Sequence, residues 1–313
     1  SAVPAYAAAL KLPDEGPQRW QLQETFVLIE QVSFGAAFRW RPWLQIGASV
    51  DLLIGSMSLR QVLDFAAIDM LGATLAKPPI NQANDFGEQA QSGVRELDVL
   101  SRPFTLHGGT ALGAAFKVGA VLQPSSAWRL AVAWQQGADL IFVGDFYLDM
   151  DHDFFTTDLT SEGLSFPRQV RGTAFVAFPT PSVLRVGVAW LPNPRWSWHT
   201  QASWLRYSVV KSLDVTVKAP GLAQPKLGLG QVTKIGIDRS WRDTLEVETW
   251  LETAPTESWR FAARLGYHSP VSPDRTMDML ALDGHRLVAG LSGQLRLNKR
   301  LAVSVQATAQ TLL

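Results

Sequence analysis

Hydrophobic and polar residues alternate along much of this chain, most clearly in residues 184–204. Large apolar residues occupy every second position of two runs, and small or polar residues lie between them. The apolar positions are Leu184, Val186, Val188 and Trp190 in the first run and Trp196, Trp198 and Trp204 in the second. The intervening Pro192-Asn193-Pro194 has the composition of a turn. The pattern predicts a β-hairpin with one apolar face and one polar face.

Four more segments show the same alternation and extend the prediction to about ten strands in five hairpins. They cover residues 32–52, 112–134, 245–267 and 287–307. Within each hairpin the turn is short, whereas most connections between hairpins are long. The long loops are expected near residues 59–108, 146–168, 218–242 and 269–285. Short turns at one end and long loops at the other are typical of outer-membrane β-barrels.

The positions of the tryptophans distinguish a membrane barrel from a water-soluble sheet. Six of the 12 tryptophans lie beside the short turns, namely Trp40, Trp43, Trp128, Trp190, Trp196 and Trp259. A soluble β-sandwich or propeller would also alternate, but it would not concentrate tryptophan at one end of its strands. A membrane barrel does so, because an aromatic girdle lies at the lipid–water interface. We therefore predict an all-β, antiparallel transmembrane β-barrel with long extracellular loops that include a short helix.

Composition narrows the function classes. The formal net charge is +0 at pH 7, so no basic excess is available for phosphates and no nucleic-acid partner is expected. The chain has 0 cysteines, which excludes disulfides and thiolate chemistry. No run of about 18 uncharged apolar residues occurs, so no helical membrane span is predicted. The strands of a membrane barrel need only about 9–11 residues and alternate in polarity.

One helical pattern interrupts the strands and supplies candidate ligand-binding residues. Residues 59–75 follow the spacing of a helix that is apolar on nearly all sides. Two interpretations stay open: an apolar groove that captures an alkyl chain, or a loop helix packed over the barrel mouth. In the second long loop, two adjacent phenylalanines also require an apolar partner. The predicted ligand-binding residues are Leu63, Phe65, Ile68, Met70, Leu71, Phe154 and Phe155.

The polar residues show no recognisable catalytic or metal-binding pattern. The five histidines lack metal-ligand spacing. Asp149, Asp151 and Asp153 are clustered, but they lack the glycine-centred loop and distal glutamate of a calcium site. His199 lies beside Ser197 on the polar face, and no acid or amide partner can be assigned to it. We therefore expect no catalytic residue, no metal and no cofactor, and a protein that is not an enzyme.

Several hairpin segments resemble those of the FadL-type outer-membrane transporters of long-chain fatty acids and other hydrophobic compounds. The resemblance lies in residues 122–130, 184–196 and 259–271, and in Asp243-Thr244 before an acidic strand. It extends from about Val32 to Gln310, and the order of the segments carries most of its weight. It implies a barrel of about 14 strands plugged by an N-terminal hatch. It also implies ligand capture between long loops, transfer to an inner pocket, and a lateral exit through the wall.

The domain organisation follows from the pattern and the resemblance together. Residues 1–21 are expected to be an N-terminal segment that is a remnant of the hatch, and residues 22–313 the transmembrane barrel. The Asn-Pro-Ala hatch segment of the family is absent, and Val3-Pro4-Ala5 resembles it only weakly. The sequence is therefore expected to be truncated at both ends.

The predicted function is passive transport of long-chain fatty acids or other hydrophobic small molecules across the outer membrane of a Gram-negative bacterium. The expected partners are that ligand and the surrounding outer-membrane lipid and lipopolysaccharide, and the pattern identifies no partner protein. The alternative is a barrel with another role, either an assembly or secretion component or a general porin. Such proteins would share the alternation and the unequal loops.

Overall fold

The fold is one antiparallel β-sheet that curls into a half-barrel. The computed structural model describes residues 2–14, 22–64, 101–160, 163–225, 230–277, 283–298 and 301–312. Within these residues the sheet has 15 strands. Their bounds are β1 Ala2–Lys11, β2 Glu24–Arg41, β3 Leu44–Asp64, β4 Ser101–Leu122, β5 Trp128–Gln135, β6 Asp139–Asp149, β7 Gln169–Pro179, β8 Val183–Asn193, β9 Trp196–Leu205, β10 Ser212–Lys218, β11 Val232–Asp238, β12 Thr244–Thr253, β13 Trp259–His268, β14 Arg286–Arg296 and β15 Ala302–Leu312. One short helix, α1, spans Asp153–Thr156, and short 3-10 turns span Asp158–Thr160, Tyr207–Val209, Pro220–Leu222 and Asp274–Thr276.

Eight of the strands join in pairs across a bend, so two rows of strands lie end to end. The joined pairs are β5 with β6, β7 with β8, β9 with β10, and β11 with β12. In one row β5, β8, β9 and β12 are neighbours, and in the other β6, β7, β10 and β11 are neighbours. The long strand β4 pairs with both β5 and β6 and therefore runs through both rows.

The strands thus form two regions, a membrane wall and an outer extension. The membrane wall comprises β5, β8, β9, β12, β13, β14 and β15 with the turn-side halves of β2, β3 and β4. The outer extension comprises β1, β6, β7, β10 and β11 with the other halves of β2, β3 and β4. Among the described strands, β15 pairs only with β14, and β1 pairs only with β2. The described strands therefore form part of the expected barrel and do not close it.

The two faces of the membrane wall have the polarity that the alternation predicts. On β3 and β4, Leu52 and Leu112 lie on the outer face, and Leu112 is 72% exposed. Asp51 lies on the inner face and is fully buried, with its carboxylate 3.3 Å from Nζ of Lys117. An apolar face toward lipid and a polar face toward the lumen is the arrangement of a transmembrane barrel. The predicted fold class is confirmed.

Charged residues form a ladder on the lumen face of β12 and β13. Glu246 lies opposite His268, and Glu248 lies opposite Gly266. Arg264 forms an ion pair with Glu248, and the two ring nitrogens of His268 lie 3.3 Å from Glu246 and 3.4 Å from Glu248. Opposite charges on facing strands stabilise a sheet by roughly 0.2–1 kcal/mol per pair. Because all of these side chains share one face, the ladder makes this part of the lumen polar.

Two of the loop boundaries expected from the sequence are wrong, because strands extend into the loops. β3 continues to Asp64 and β4 begins at Ser101, and these two residues pair with each other. The helix expected from Leu59 is therefore wrong as far as Asp64. A few residues of helical spacing stabilise a helix only weakly. The same residues continue β3 and gain hydrogen bonds to the adjacent strand β4. The remainder of that stretch, residues 65–75, lies outside the described residues.

The loop expected at residues 218–242 contains strand β11, Val232–Asp238. The N-terminal segment likewise contains a strand, β1, which the sequence pattern does not predict. Its run of alanines shows no alternation of polarity, so only its pairing with β2 defines it, with Ala8 opposite Val27. This pairing adds β1 to the outer extension.

Tryptophans on the two faces of the membrane wall are expected to differ in their contact with lipid. Trp198 and Trp204 are 39% and 41% exposed on the outer face, and the indole N–H of Trp198 donates to Oγ1 of Thr249 at 2.7 Å. Trp250 lies on the lumen face, where it stacks on His199 with ring centroids 5.2 Å apart. In variants that retain one tryptophan each, brominated lipids should quench the fluorescence of Trp198 and Trp204 but not that of Trp250. Equal quenching at all three positions would contradict the assignment of faces.

Candidate functional site

An apolar cavity of about 480 Å³ lies inside the outer extension. Its volume is within the range of small-molecule binding sites, about 300–1,000 Å³. Strands from distant parts of the chain supply its wall, which includes Thr25, Val27, Met57, Leu59, Phe104, Leu106, Val176, Phe178, Leu213 and Val215. Residues 6–10 of β1 form the remaining side. The cavity therefore exists only because the sheet curls enough to bring β1 close to β7 and β10.

Strand β1 closes the cavity with small side chains. Its residues 7–9 are alanines, which leave space between this strand and the opposite wall. Tyr6 reaches across the space, and its ring centroid lies 5.8 Å from that of Phe178 on β7. Small side chains along one wall and bulky apolar side chains along the other leave space between them, and this space has an apolar surface.

One end of the cavity is polar because the chain bends sharply between β11 and β12. Ser240 has a positive φ of 42°, which is uncommon for a residue with a side chain. Main-chain hydrogen bonds hold the bend: the Arg239 N–H donates to Lys211 O at 2.8 Å, and the Trp241 N–H donates to Val210 O at 3.1 Å. As a result, both Arg239 and Trp241 line the cavity.

These two residues give the cavity a positive charge and a hydrogen-bond donor. Arg239 is 1% exposed, and its carbonyl oxygen accepts a hydrogen bond from Oγ1 of Thr276 at 2.7 Å, from the loop after β13. Within the described part of the chain, the buried indole N–H of Trp241 has no hydrogen-bond partner. A buried donor of this kind is stabilised when a ligand supplies an acceptor.

Two tyrosines near this end remain neutral at physiological pH. Burial raises the pKa of the Tyr6 phenol. Burial also raises the pKa of Tyr207, and the nearby carboxylate of Glu246 raises it further. Tyr207 packs edge-to-face against Trp241 with ring centroids 5.7 Å apart. Because the ordinary pKa of tyrosine is already about 10, both hydroxyls keep their protons and can donate hydrogen bonds.

Behind Phe178 of the cavity wall lies a second buried aromatic side chain. Phe142 of β6 is fully buried and packs edge-to-face against Phe178, with ring centroids 6.2 Å apart. Its ring lies over Gly55 of β3. Nearer the short turns, the inner face becomes polar at the Asp51–Lys117 ion pair. The inner face therefore changes from buried apolar side chains at Phe142 to charged ones at Asp51 and Lys117.

Two of the predicted ligand-binding residues, Phe154 and Phe155, lie apart from this cavity. Leu63 lies in β3, where its backbone pairs with Arg102, and Phe65, Ile68, Met70 and Leu71 lie outside the described residues. Phe154 and Phe155 belong to α1 in the loop between β6 and β7. Neither phenylalanine contributes to the wall of the cavity described above.

The two phenylalanines pack within their own loop. Phe155 is fully buried, and its ring lies edge-to-face against Phe166 at 5.7 Å and against Phe154 at 5.1 Å. The guanidinium of Arg102 lies 5.6 Å from the Phe155 centroid. The apolar partner that the sequence requires for these residues is therefore a small core inside the loop itself.

Sequence reasoning missed the residues that line the cavity, although one signal points to them. In the membrane wall the lumen positions are polar or small, as at Asp51 and Lys117. In the outer halves of the same strands the same face carries Val27, Met57 and Leu106, all at most 8% exposed. Along these strands the lumen-facing residues recur at every second position and change from polar to apolar. Such a change indicates an apolar compartment at one end of the barrel.

An antiparallel sheet with a lipid-facing apolar surface, a polar lumen and an apolar cavity is typical of the class of outer-membrane transport proteins. The chain belongs to the family described as outer membrane protein transport protein (OMPP1/FadL/TodX), whose model matches residues 1–310. The predicted resemblance and the outer-membrane location are thereby confirmed. No curated protein gives a significant sequence match.

Solved structures of this family share the fold. A Pseudomonas aeruginosa FadL homologue is 18% identical, with a TM-score of 0.77, and the alignment covers 99% of this chain and 65% of that chain. The Pseudomonas putida toluene transporter TodX is 15% identical, with a TM-score of 0.64, and the coverage is 99% and 75%. The CymD monoaromatic hydrocarbon channel is 14% identical, with a TM-score of 0.64 and coverage of 97% and 72%. This chain thus spans less than two thirds of the length of the FadL homologue.

No helix among the described residues is long and apolar enough to cross a membrane. In the same residues, no group of three or more histidine, aspartate or glutamate side chains is placed to hold a metal ion.

Proposed function

We propose that this protein is a passive outer-membrane channel for hydrophobic small molecules and that the cavity is its inner binding site. The apolar cavity in the outer extension supports this proposal. Burial of apolar surface contributes about 25 cal/mol per Å². A long alkyl chain therefore gains several kcal/mol when it leaves water for such a cavity, without any energy source or covalent chemistry.

The ligand class that fits the cavity best is a long-chain monocarboxylate, that is, a fatty acid. An alkyl chain matches the walls formed by residues such as Val27, Leu106 and Phe178. A carboxylate matches the end where Arg239 and Trp241 lie, since arginine and N–H donors bind carboxylates by charge-assisted hydrogen bonds. The aromatic hydrocarbons named for the related TodX and CymD proteins have no such head group.

Entry and exit complete the proposed path. Capture at the outer surface is assigned to a groove that includes Leu63, Phe65, Ile68, Met70 and Leu71, and this assignment stays a prediction. From the cavity the ligand leaves laterally into the membrane. A vertical route would require the ligand to pass the Asp51–Lys117 ion pair, which offers no favourable surface to an alkyl chain.

Uptake by cells tests the proposed function. Cells that carry the full protein should accumulate labelled long-chain fatty acid faster than cells that lack it, and extracts of the purified protein should contain fatty acid by mass spectrometry. The double variant Phe65→Asp with Leu71→Asp should insert normally and reduce uptake, because two charges would oppose capture of an alkyl chain. Normal uptake by that variant would refute the groove alone. Failure of the wild type to take up any hydrophobic compound would favour a porin or an assembly component.

A further inference from the structure

The positive end of the cavity and its most distant apolar wall lie at opposite ends of the outer extension. The Arg239 N–H donates to the main-chain oxygen of Lys211, which directly precedes β10. The chain leaves the membrane wall at this point, because β10 continues from β9 across the bend. Phe104 also lines the cavity, and it is the fourth residue of β4, far from the short turn that follows this strand. The positive end is therefore next to the membrane wall, and Phe104 is next to the long loops.

Apolar side chains form the end of the cavity that is next to the long loops. Phe104 is 5% exposed, and Leu59 and Leu106 lie beside it as a cross-strand pair. Of the lining residues at this end, only Thr25 is polar, and its hydroxyl donates to the main-chain oxygen of Ser58 at 3.4 Å. Because this donor already has a partner, the end suits an alkyl group better than a second polar group.

Behind Phe104, the interior of the outer extension is packed. The ring centroid of Phe104 lies 5.5 Å from that of Phe146, and its backbone pairs with Leu148 of β6. From here the core continues into the loop that contains α1. Its side chains are at most 3% exposed and do not line the cavity, as at Phe146, Leu148, Met150, Phe155 and Phe166. A close-packed core accepts an extra methylene only if its side chains are displaced. Phe104 is therefore the last side chain that an alkyl chain reaches in this direction.

A fatty acid that binds between these two ends has one favourable orientation. Its carboxylate lies at Arg239 and Trp241, so its methyl end points toward Phe104. Each methylene that leaves water for the cavity should strengthen binding about fourfold. Once the chain reaches Phe104, a further methylene must bend the chain or leave the cavity, and it then contributes little.

We propose that Phe104 determines the longest alkyl chain that the cavity holds, with the carboxylate toward the membrane wall and the methyl end toward the long loops. Phe104 is thus a specificity-determining residue for chain length, whereas Arg239 and Trp241 recognise the head group. This inference rests on the proposed binding of a fatty acid, and it adds a limit on the length of the ligand.

A series of saturated fatty acids tests the role of Phe104. The purified full protein in amphipol is titrated with fatty acids of increasing length, which displace a fluorescent fatty acid. In the wild type each added methylene should strengthen binding about fourfold up to a limiting length, and by less than about twofold beyond it. Phe104→Leu should move this limit to longer chains, because it vacates the end of the cavity. Leu59→Trp should move the limit to shorter chains, because the indole occupies the same end.

Phe166→Leu is the matched control for this experiment. Phe166 is 2% exposed and belongs to the same core as Phe104, but it does not line the cavity. The substitution therefore removes the same atoms from the core and should leave the limiting length unchanged. Equal shifts in Phe104→Leu and Phe166→Leu would show a general loosening of the core and overturn the role of Phe104. A limit that is identical in the wild type, Phe104→Leu and Leu59→Trp would overturn it as well.

Brominated ligands test the orientation independently. In a variant of the full protein that retains Trp241 as its single tryptophan, a fatty acid with bromine beside the carboxylate should quench the fluorescence strongly. The same fatty acid with bromine at its methyl end should quench it weakly. Equal quenching by the two ligands, or the reverse order, would overturn the orientation.

Two results separate failure of this inference from failure of the proposed function. Fatty acids that bind to the wild type without a limiting length overturn the role of Phe104 and leave the transport proposal intact. Absence of fatty-acid binding and of uptake in the wild type overturns the transport proposal, and the limit on chain length with it.

Discussion

Replacement of Val27 with tryptophan is expected to abolish most fatty-acid binding, because the indole would occupy the cavity. Val27 is 8% exposed, lines the cavity and lies opposite Met57 on the neighbouring strand. A ligand that loses part of its buried surface loses about 25 cal/mol per Å². A loss of only 1.4 kcal/mol weakens binding about tenfold, and we expect at least this reduction in affinity and in the rate of uptake.

The neighbouring residue provides the matched control for this substitution. Leu28 lies on the opposite face of β2, and it does not contribute to the cavity wall. Leu28→Trp therefore introduces the same side chain into the same strand without filling the cavity. Affinity should be measured by titration of the purified proteins with a fluorescent fatty acid, after gel mobility has shown that both variants fold. Equal losses in the two variants would refute the cavity as the binding site.

Replacement of Arg239 with glutamine is expected to weaken the binding of fatty-acid anions while it leaves the binding of neutral hydrocarbons nearly unchanged. Arg239 is buried at the polar end of the cavity, beside the indole N–H of Trp241. Hydrogen bonds to charged groups contribute about 1.5–3 kcal/mol. Their loss should weaken the binding of a fatty-acid anion by roughly tenfold to a hundredfold. A neutral hydrocarbon of similar length makes no such bond, so its affinity should change by less than about twofold.

Two comparisons make the Arg239 experiment decisive. Hydrocarbon binding by the same purified variant shows whether the cavity is intact, since a collapsed cavity would bind neither ligand. Arg239→Lys keeps the positive charge but loses the planar pair of donors, and it should retain part of the preference for the carboxylate. If Arg239→Gln binds both ligands like the wild type, the cavity has no head-group site. A neutral substrate such as an aromatic hydrocarbon would then become the better proposal.

The proposed function combines two requirements that usually oppose each other. A buried arginine is costly unless polar groups or a counter-ion stabilise it, whereas an alkyl chain requires apolar walls. The fold separates the two by position: Arg239 and Trp241 come from the bend between β11 and β12, while the apolar walls come from β2, β3, β4, β7 and β10. The cavity can therefore match both ends of an amphipathic ligand.

Alternation along single strands was sufficient to predict the fold class and the two faces of the membrane wall. The side chains of a strand alternate with a strict period of two, so a register error of one residue would turn every apolar side chain toward the lumen. This constraint acts locally and is visible in the sequence. The same period of two places Glu248 and Arg264, which form an ion pair, on one lumen face.

Loops and strand ends were less predictable, because their structure depends on partners that are distant in sequence. Residues 59–64 have helical spacing, yet they form strand because Ser101 and its neighbours pair with them. Phe155 requires an apolar partner, but nothing local indicates whether that partner is a ligand or Phe166 of its own loop. Hydrophobicity predicts burial in both cases without specifying what covers the side chain.

The sequence by itself determined which residues face lipid, which face the lumen, and at which end the short turns lie. Only the tertiary structure decided the cavity and its positive end. Both depend on the curvature of the sheet, which brings Tyr6 to Phe178. Curvature arises from the twist of all the strands together, whereas alternation is a property of each strand alone, so the wall can be predicted locally and its cavity cannot.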